Sequence, residues 1–221
     1  MNKIAAVISY AGCVGIFSLF PYTAYATFPA LVTLESDNDA SGVLVMSSDV
    51  QRLTTVSQTF GFLPPLSWKL AFNEKRGDMT MAEFIPANET LNDWSSLVCM
   101  QGFKGLAEDV EPEEFLDSMA DTYKEHCQGE VIYQQLGSMK VEGYEAVHGL
   151  LGCTSMPNIH NASAIVSESY VTSPRGEMGY FTVISDDEDI FLVHKSIRTA
   201  VFAAESAPVT QNNYREFMAE P

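Results

Sequence analysis

Acidic side chains are concentrated in one short stretch of the chain, where fourteen consecutive residues hold seven acids and no base. These acids are Glu108, Asp109, Glu111, Glu113, Glu114, Asp117 and Asp121. Acids in the first turn of a helix stabilise it through the helix dipole, which explains part of the run. Three interpretations stay open for the rest. The acids could form a solvated helix face, an acidic surface that binds a basic protein, or a glycosidase carboxylate pair with Trp68 or Trp94 stacking on the sugar.

Cys99 is the candidate nucleophile, because His148 or His194 could form a thiol–imidazole pair with it. It lies within the apolar run 97–100, however, which favours a small buried hydrophobe. The chain contains neither a Gly-x-Ser-x-Gly elbow nor a Ser-x-x-Lys motif. The sequence therefore predicts a protein that is not an enzyme.

The sequence contains no motif with the residue spacing of a metal site or a phosphate-binding loop. The histidines are His126, His148, His160 and His194, and neither a His-x-x-x-His nor a Cys-x-x-Cys pattern occurs. Residues 37–42 resemble the start of a calcium loop, but Ser48 stands where a bidentate Glu is needed. No glycine-rich loop leads from a strand into a helix. The sequence predicts no metal and no cofactor.

The spacing of apolar residues predicts the helix and strands that would position these residues. Residues 112–127 are predicted as a helix, with Pro112 at its first position and an apolar face of Leu116, Met119, Ala120 and Tyr123. Strands are predicted at 67–85 as a hairpin, then at 96–103, 130–137, 144–152, 164–172, 178–184 and 189–197, with a turn at 173–176. A helix is the open alternative for 189–197. The fold class is α+β, an antiparallel sheet with one principal helix packed on it.

The ends of the chain carry separate predictions. Residues 1–26 have the form of a signal peptide cleaved after Ala26, which predicts a periplasmic or secreted protein that is soluble after cleavage. A lipoprotein site at Cys13 and an uncleaved anchor are the alternatives. Residues 27–66 are an N-terminal extension, residues 67–207 the α+β domain, and residues 208–221 a frayed C-terminal tail.

Net charge narrows the choice of partner. The 221 residues include 12 Lys and Arg against 29 Asp and Glu, a formal charge of −17. Nucleic-acid binding needs clustered basic residues, so the acid excess excludes it. The same excess argues against docking on an anionic lipid surface. The predicted partner is a protein with a basic surface; the oligomeric state stays open.

Several stretches together resemble a family of uncharacterised secreted proteobacterial proteins and, in layout, the PsbP/Mog1-like α/β sandwich. They are residues 82–86, residues 88–94, Cys127 at the helix end, residues 143–146 leading to Cys153, and residues 177–198. The resemblance covers about residues 67–200 and implies a non-catalytic binding module. It also places cysteines at two element ends, in agreement with the reach that a disulfide needs. Cys127–Cys153 is the predicted bond, with Cys99 free and buried.

These observations favour a non-catalytic periplasmic binding protein, of which an immunity-type inhibitor of an envelope-targeting toxin is one concrete version. A hydrolase acting on envelope glycan or peptide is one alternative. A structural domain of an envelope assembly is the other.

Overall fold

The computed structural model of the chain describes residues 64–141, 143–158 and 172–220. Within them lie seven strands and two α-helices. The strands are β1 (Trp68–Arg76), β2 (Met79–Pro86), β3 (Ser96–Phe103), β4 (Val131–Val141), β5 (Tyr144–Asn158), β6 (Thr172–Ser185) and β7 (Ile190–Thr199), and the helices are α1 (Pro112–His126) and α2 (Tyr214–Ala219). One sheet has the order β1-β2-β3-β7-β6-β5-β4, with every neighbouring pair antiparallel. The predicted α+β class is confirmed.

Tight turns join the hairpins where glycine permits a left-handed backbone. Gly77 has a φ of 59° between β1 and β2, and Gly143 has a φ of 93° between β4 and β5. The interval between β6 and β7 is closed by Asp186, whose carboxylate accepts the backbone N–H groups of Glu188 and Asp189. Residues 189–197, for which a helix was the alternative, form most of strand β7.

Helix α1 covers one face of the sheet with its predicted apolar side. Leu116, Met119 and Tyr123 are buried against inward residues of the central strands, including Leu151 and Phe181. The helix ends at His126, one residue before the predicted end. The periodicity of the sequence therefore identifies both the helix and its buried side.

The C-terminal segment covers the other face, so the prediction of a frayed tail is wrong. Val209 and Phe217 are buried against Met100, Phe191 and Val193. The reason is that the segment carries an apolar side of its own, completed by α2, and this side buries a sheet face that would otherwise meet water. The sheet is thus covered on both sides.

Two local predictions differ from the structure. Residues 173–176 belong to β6 instead of a turn, with Arg175 paired to Met156 and Gly176 to Thr199. Proline has no backbone N–H to donate to the sheet. Pro174 is accommodated because the pairing of β5 with β6 is irregular at this point. Residues 164–171 of the predicted strand 164–172 lie outside the described residues, as do the predicted leader and residues 27–63 of the extension.

Candidate functional site

The predicted acidic residues lie on the first part of α1 and on the loop before it. Glu113 is half-buried, and the other six are exposed. The Glu113 carboxylate accepts a hydrogen bond from Ser138 Oγ at 2.9 Å, and that of Asp117 accepts one from Tyr133 Oη at 2.6 Å. We call the seven residues the acidic face; it extends along α1 beside strand β4.

Two neighbours modify the electrostatics of the acidic face. Lys124 Nζ lies 2.8 Å from Asp121 Oδ1 in an exposed ion pair. Partial burial and the Asp117 carboxylate raise the pKa of the Tyr133 phenol well above its ordinary value, so Tyr133 stays a donor. Glu108, Glu111 and Glu114 are exposed and can attract cations from solution.

A second constellation is buried on the α1 side of the sheet. Glu83 on β2 pairs in register with Cys99 on β3, and Cys99 pairs in turn with His194 on β7. Residues directly opposite in an antiparallel ladder share a face, so these three form one row across three strands. They are 5%, 0% and 2% exposed respectively.

His194 is held as a neutral imidazole. Its ring stacks on that of Phe181 with centroids 4.4 Å apart, and Nδ1 lies 2.9 Å from Ser196 Oγ. Burial lowers its pKa to about 3. Nε2 is buried, and it has no hydrogen-bond partner among the residues that the structure describes. The sequence gives no signal for this environment, because the alternation of β7 does not reveal which strands flank it.

Cys99 corrects one prediction. It is fully buried, as expected, but it is disulfide-bonded, so the prediction of a free thiol is wrong for this chain. Its partner is not among the described residues. The prediction counts the three cysteines that remain after cleavage of the leader, whereas the whole chain has four. The Gln101 amide nitrogen lies 3.5 Å from Cys99 Sγ.

Arg198 is the centre of a buried ionic cluster beside this row. Its Nε donates to Glu177 Oε2 at 2.9 Å, and Tyr123 Oη donates to Glu177 Oε1 at 2.9 Å. The guanidinium lies 4.1 Å from the ring centroid of Trp94. Burial raises the pKa of Glu83 to about 8, an effect that Arg198 opposes and Glu177 reinforces. The cluster connects α1, two central strands and the loop before β3.

The structure bonds Cys127, just after α1, to Cys153 on β5, with Cα atoms 5.7 Å apart, as predicted. Cys153 pairs in register with Glu177, so the disulfide lies beside the ionic cluster. The two features fix the same end of α1 to the sheet.

Clusters of metal ligands and membrane-spanning helices are both absent from the described residues. They contain no group of three His, Cys, Asp or Glu side chains that could hold a metal ion. None of their helices is both long and apolar enough to cross a membrane.

The fold defines an α+β sandwich class rather than an individual family. No family model matches the chain, and no curated protein matches it. A mutant of the protein Mog1 resembles it with a TM-score of 0.36 and 9% identity over 70% of this chain and 75% of that chain. The Ran-binding protein Mog1p of Saccharomyces cerevisiae resembles it with a TM-score of 0.36 and 9% identity over 71% and 75%. Likenesses this distant carry no argument about activity or partner.

Proposed function

We propose that the protein is a non-catalytic binding module that presents the acidic face to a basic surface of a partner protein. The observation that carries the proposal is the exposure of six of the seven acids, three of them on helix α1 and three on the loop before it. A single-signed charge patch steers an oppositely charged partner and fixes its orientation. The net charge of −17 adds to the same attraction.

Burial argues against the hydrolase alternative. Cys99 and His194, the thiol–imidazole candidates, are 0% and 2% exposed, so a glycan or peptide has no approach to them. Glu177 forms a buried ion pair with Arg198, and burial keeps Glu83 mostly protonated by raising its pKa to about 8. These groups stabilise the fold in the arrangement observed.

An exported location is part of the proposal. The Cys127–Cys153 disulfide is a bond that persists in oxidising compartments, and the predicted leader directs the chain to one. An immunity-type inhibitor that masks a basic toxin surface is the concrete version. A structural domain of an envelope assembly would use the same face for permanent docking.

Charge reversal of the acidic face tests the proposal. Glu108, Glu111 and Glu114 are replaced by Lys, since their carboxylates make no hydrogen bond within the described part of the chain that the change would break. We expect the wild type to capture a basic protein from periplasmic extract, and the capture to weaken with salt. The triple variant should lose at least tenfold in affinity and show a flatter salt dependence.

The matched control reverses three exposed acids in other segments, Glu130, Glu205 and Glu216, and changes the net charge equally. If the control keeps the partner and the acidic-face variant loses it, binding depends on the acidic face and not on the total charge. Equal affinity and equal salt slope in the wild type and the triple acidic-face variant would overturn the proposal.

A further inference from the structure

The C-terminal segment 207–220 is held on the sheet by contacts of two kinds. Val209 and Phe217 are 1% and 7% exposed and supply the apolar part. Lys195 supplies the polar part: its Nζ, on a side chain only 6% exposed, donates to the backbone carbonyls of Phe217 at 2.6 Å and of Glu220 at 2.5 Å. A buried cation on carbonyls at the end of α2 acts as a cap for that helix.

The start of α2 is held by an aromatic stack that ends on a histidine. Tyr214 lies parallel to Tyr180 of β6, with ring centroids 5.3 Å apart and an interplanar angle of 4°. Tyr180 Oη lies 2.8 Å from Nδ1 of His148 on β5, and the His148 ring lies 6.2 Å from that of Tyr214. His148 therefore supports the stack on which α2 rests.

We propose that segment 207–220 is a proton-operated latch, closed while His148 is neutral and released when His148 gains a proton. Neutral Nδ1 accepts the Tyr180 hydroxyl proton, whereas a protonated Nδ1 can only donate to the Tyr180 oxygen, so the Tyr180 proton loses this acceptor. The added positive charge also faces Arg215 of α2, and like charges in a half-buried place repel. This latch lies on the face opposite α1 and is independent of the acidic face.

The groups that face His148 favour its neutral form. They are Tyr180 on β6 and Tyr214 and Arg215 on α2, while β4 offers Gly137, which has no side chain. Burial and, second, the Arg215 charge lower the pKa of His148 below 6.5. His148 has a lower pKa in the closed state than in the open state, where it is near 6.5. The closed state therefore loses stability relative to the open state as pH falls below 6.5. Acid thus opens the latch, and neutral pH closes it.

Hydrogen exchange on the full chain at pH 7.5 and pH 5 tests the latch, with rates corrected for intrinsic exchange. The amides of Phe217 and Glu220, which bond to Asn213 and Glu216, report α2, and those of β7 report the whole fold. We expect protection of α2 to fall by up to about tenfold per pH unit below 6.5 while β7 falls less. Equal losses in α2 and β7 would overturn the proposal, since global unfolding would then explain both.

Two variants separate the latch from ordinary acid sensitivity. His148→Gln keeps an acceptor for Tyr180 but cannot titrate, so α2 should stay protected at pH 5. His126→Gln, on α1, should respond as the wild type does. If His148→Gln does not fold, NMR titration of His148 in Tyr214→Ala decides the matter: linkage requires its pKa to rise toward 6.5 once α2 no longer rests on it. An unchanged pKa, or a wild-type response in His148→Gln, would overturn the latch.

Discussion

Two buried carboxyl groups near Arg198 have different environments. Glu177 accepts hydrogen bonds from the Arg198 Nε–H and the Tyr123 hydroxyl, each at 2.9 Å. Burial dominates at Glu83 and raises its pKa to about 8, so it is mostly protonated at neutral pH. The Arg198 guanidinium thus hydrogen-bonds to Glu177, whereas it only partly offsets the effect of burial on the pKa of Glu83.

Glu83 should make the protein less stable as pH rises. Its pKa is about 8 when folded and near 4.5 when unfolded, so the stability from its neutral form is complete below 4.5 and lost as pH rises through 8. Glu83→Gln mimics the neutral group and should remove this decline, exceeding the wild type at pH 9 by on the order of a few kcal/mol. Urea unfolding from pH 4.5 to 9 measures it, with exposed Glu130→Gln as control. The same decline in Glu83→Gln would contradict the assignment.

Among individual residues, the sequence predicts those whose role shows in the residues next to them along the chain. The run of acids and the Cys127–Cys153 pair are visible as local density and as element ends. Glu83 and His194 are not, because their environment depends on strands far away in sequence. When one polar residue stands in an apolar run, the neighbouring sequence does not show whether its side chain is buried or which residue it contacts.

Elements with a complete local pattern were predictable, and those completed by another element were not. Helix α1 repeats its apolar face over four turns, so its residues define it alone. Helix α2 has six residues, too few for a repeat, and depends on Lys195 and the sheet for its stability. The C-terminal segment was therefore taken for a tail.

Arg198 should be the most sensitive link between elements. Arg198→Met leaves the Glu177 carboxylate buried beside Tyr123 without its cation and removes the contact with Trp94, so we expect a loss of about 3–5 kcal/mol in unfolding free energy. Adding Glu177→Gln should recover part of it, because the uncompensated charge is gone.

Denaturant unfolding of both single variants and the double variant measures this coupling. Arg76→Met is the control: its ion pair with Glu74 is exposed at 43% and 29%, and its loss should cost less than about 1 kcal/mol. A similar small cost at Arg198 would show that the buried pair does not hold the elements together.

At the scale of the whole molecule, the strand order was the least predictable feature. Hairpin signals connect β1 with β2 and β4 with β5, since short turns join them. The pairing of β3 with β7 joins residues nearly a hundred positions apart, for instance Cys99 and His194. This pairing unites the two halves into one sheet, and no local pattern encodes it.

Cysteine content offers a prediction for the whole molecule, because cleavage of the leader would change it. In the full chain, Cys99, Cys127 and Cys153 are all disulfide-bonded. A chain that begins at residue 27 has three cysteines, and the Cys127–Cys153 bond uses two of them, so it should contain one thiol, at Cys99. Because Cys99 is 0% exposed, that thiol should react with an alkylating reagent only after denaturation, while Cys127–Cys153 stays intact.

Thiol titration with and without denaturant, followed by non-reducing peptide mapping, measures both properties of the shortened chain. Cys99→Ser should abolish the thiol and keep the Cys127–Cys153 peptide. Reducing that disulfide, whose cysteines are 26 positions apart, should cost about 3 kcal/mol through the entropy gained by the unfolded chain. A disulfide peptide containing Cys99 in the shortened chain, or rapid alkylation of Cys99 in its folded state, would contradict the prediction.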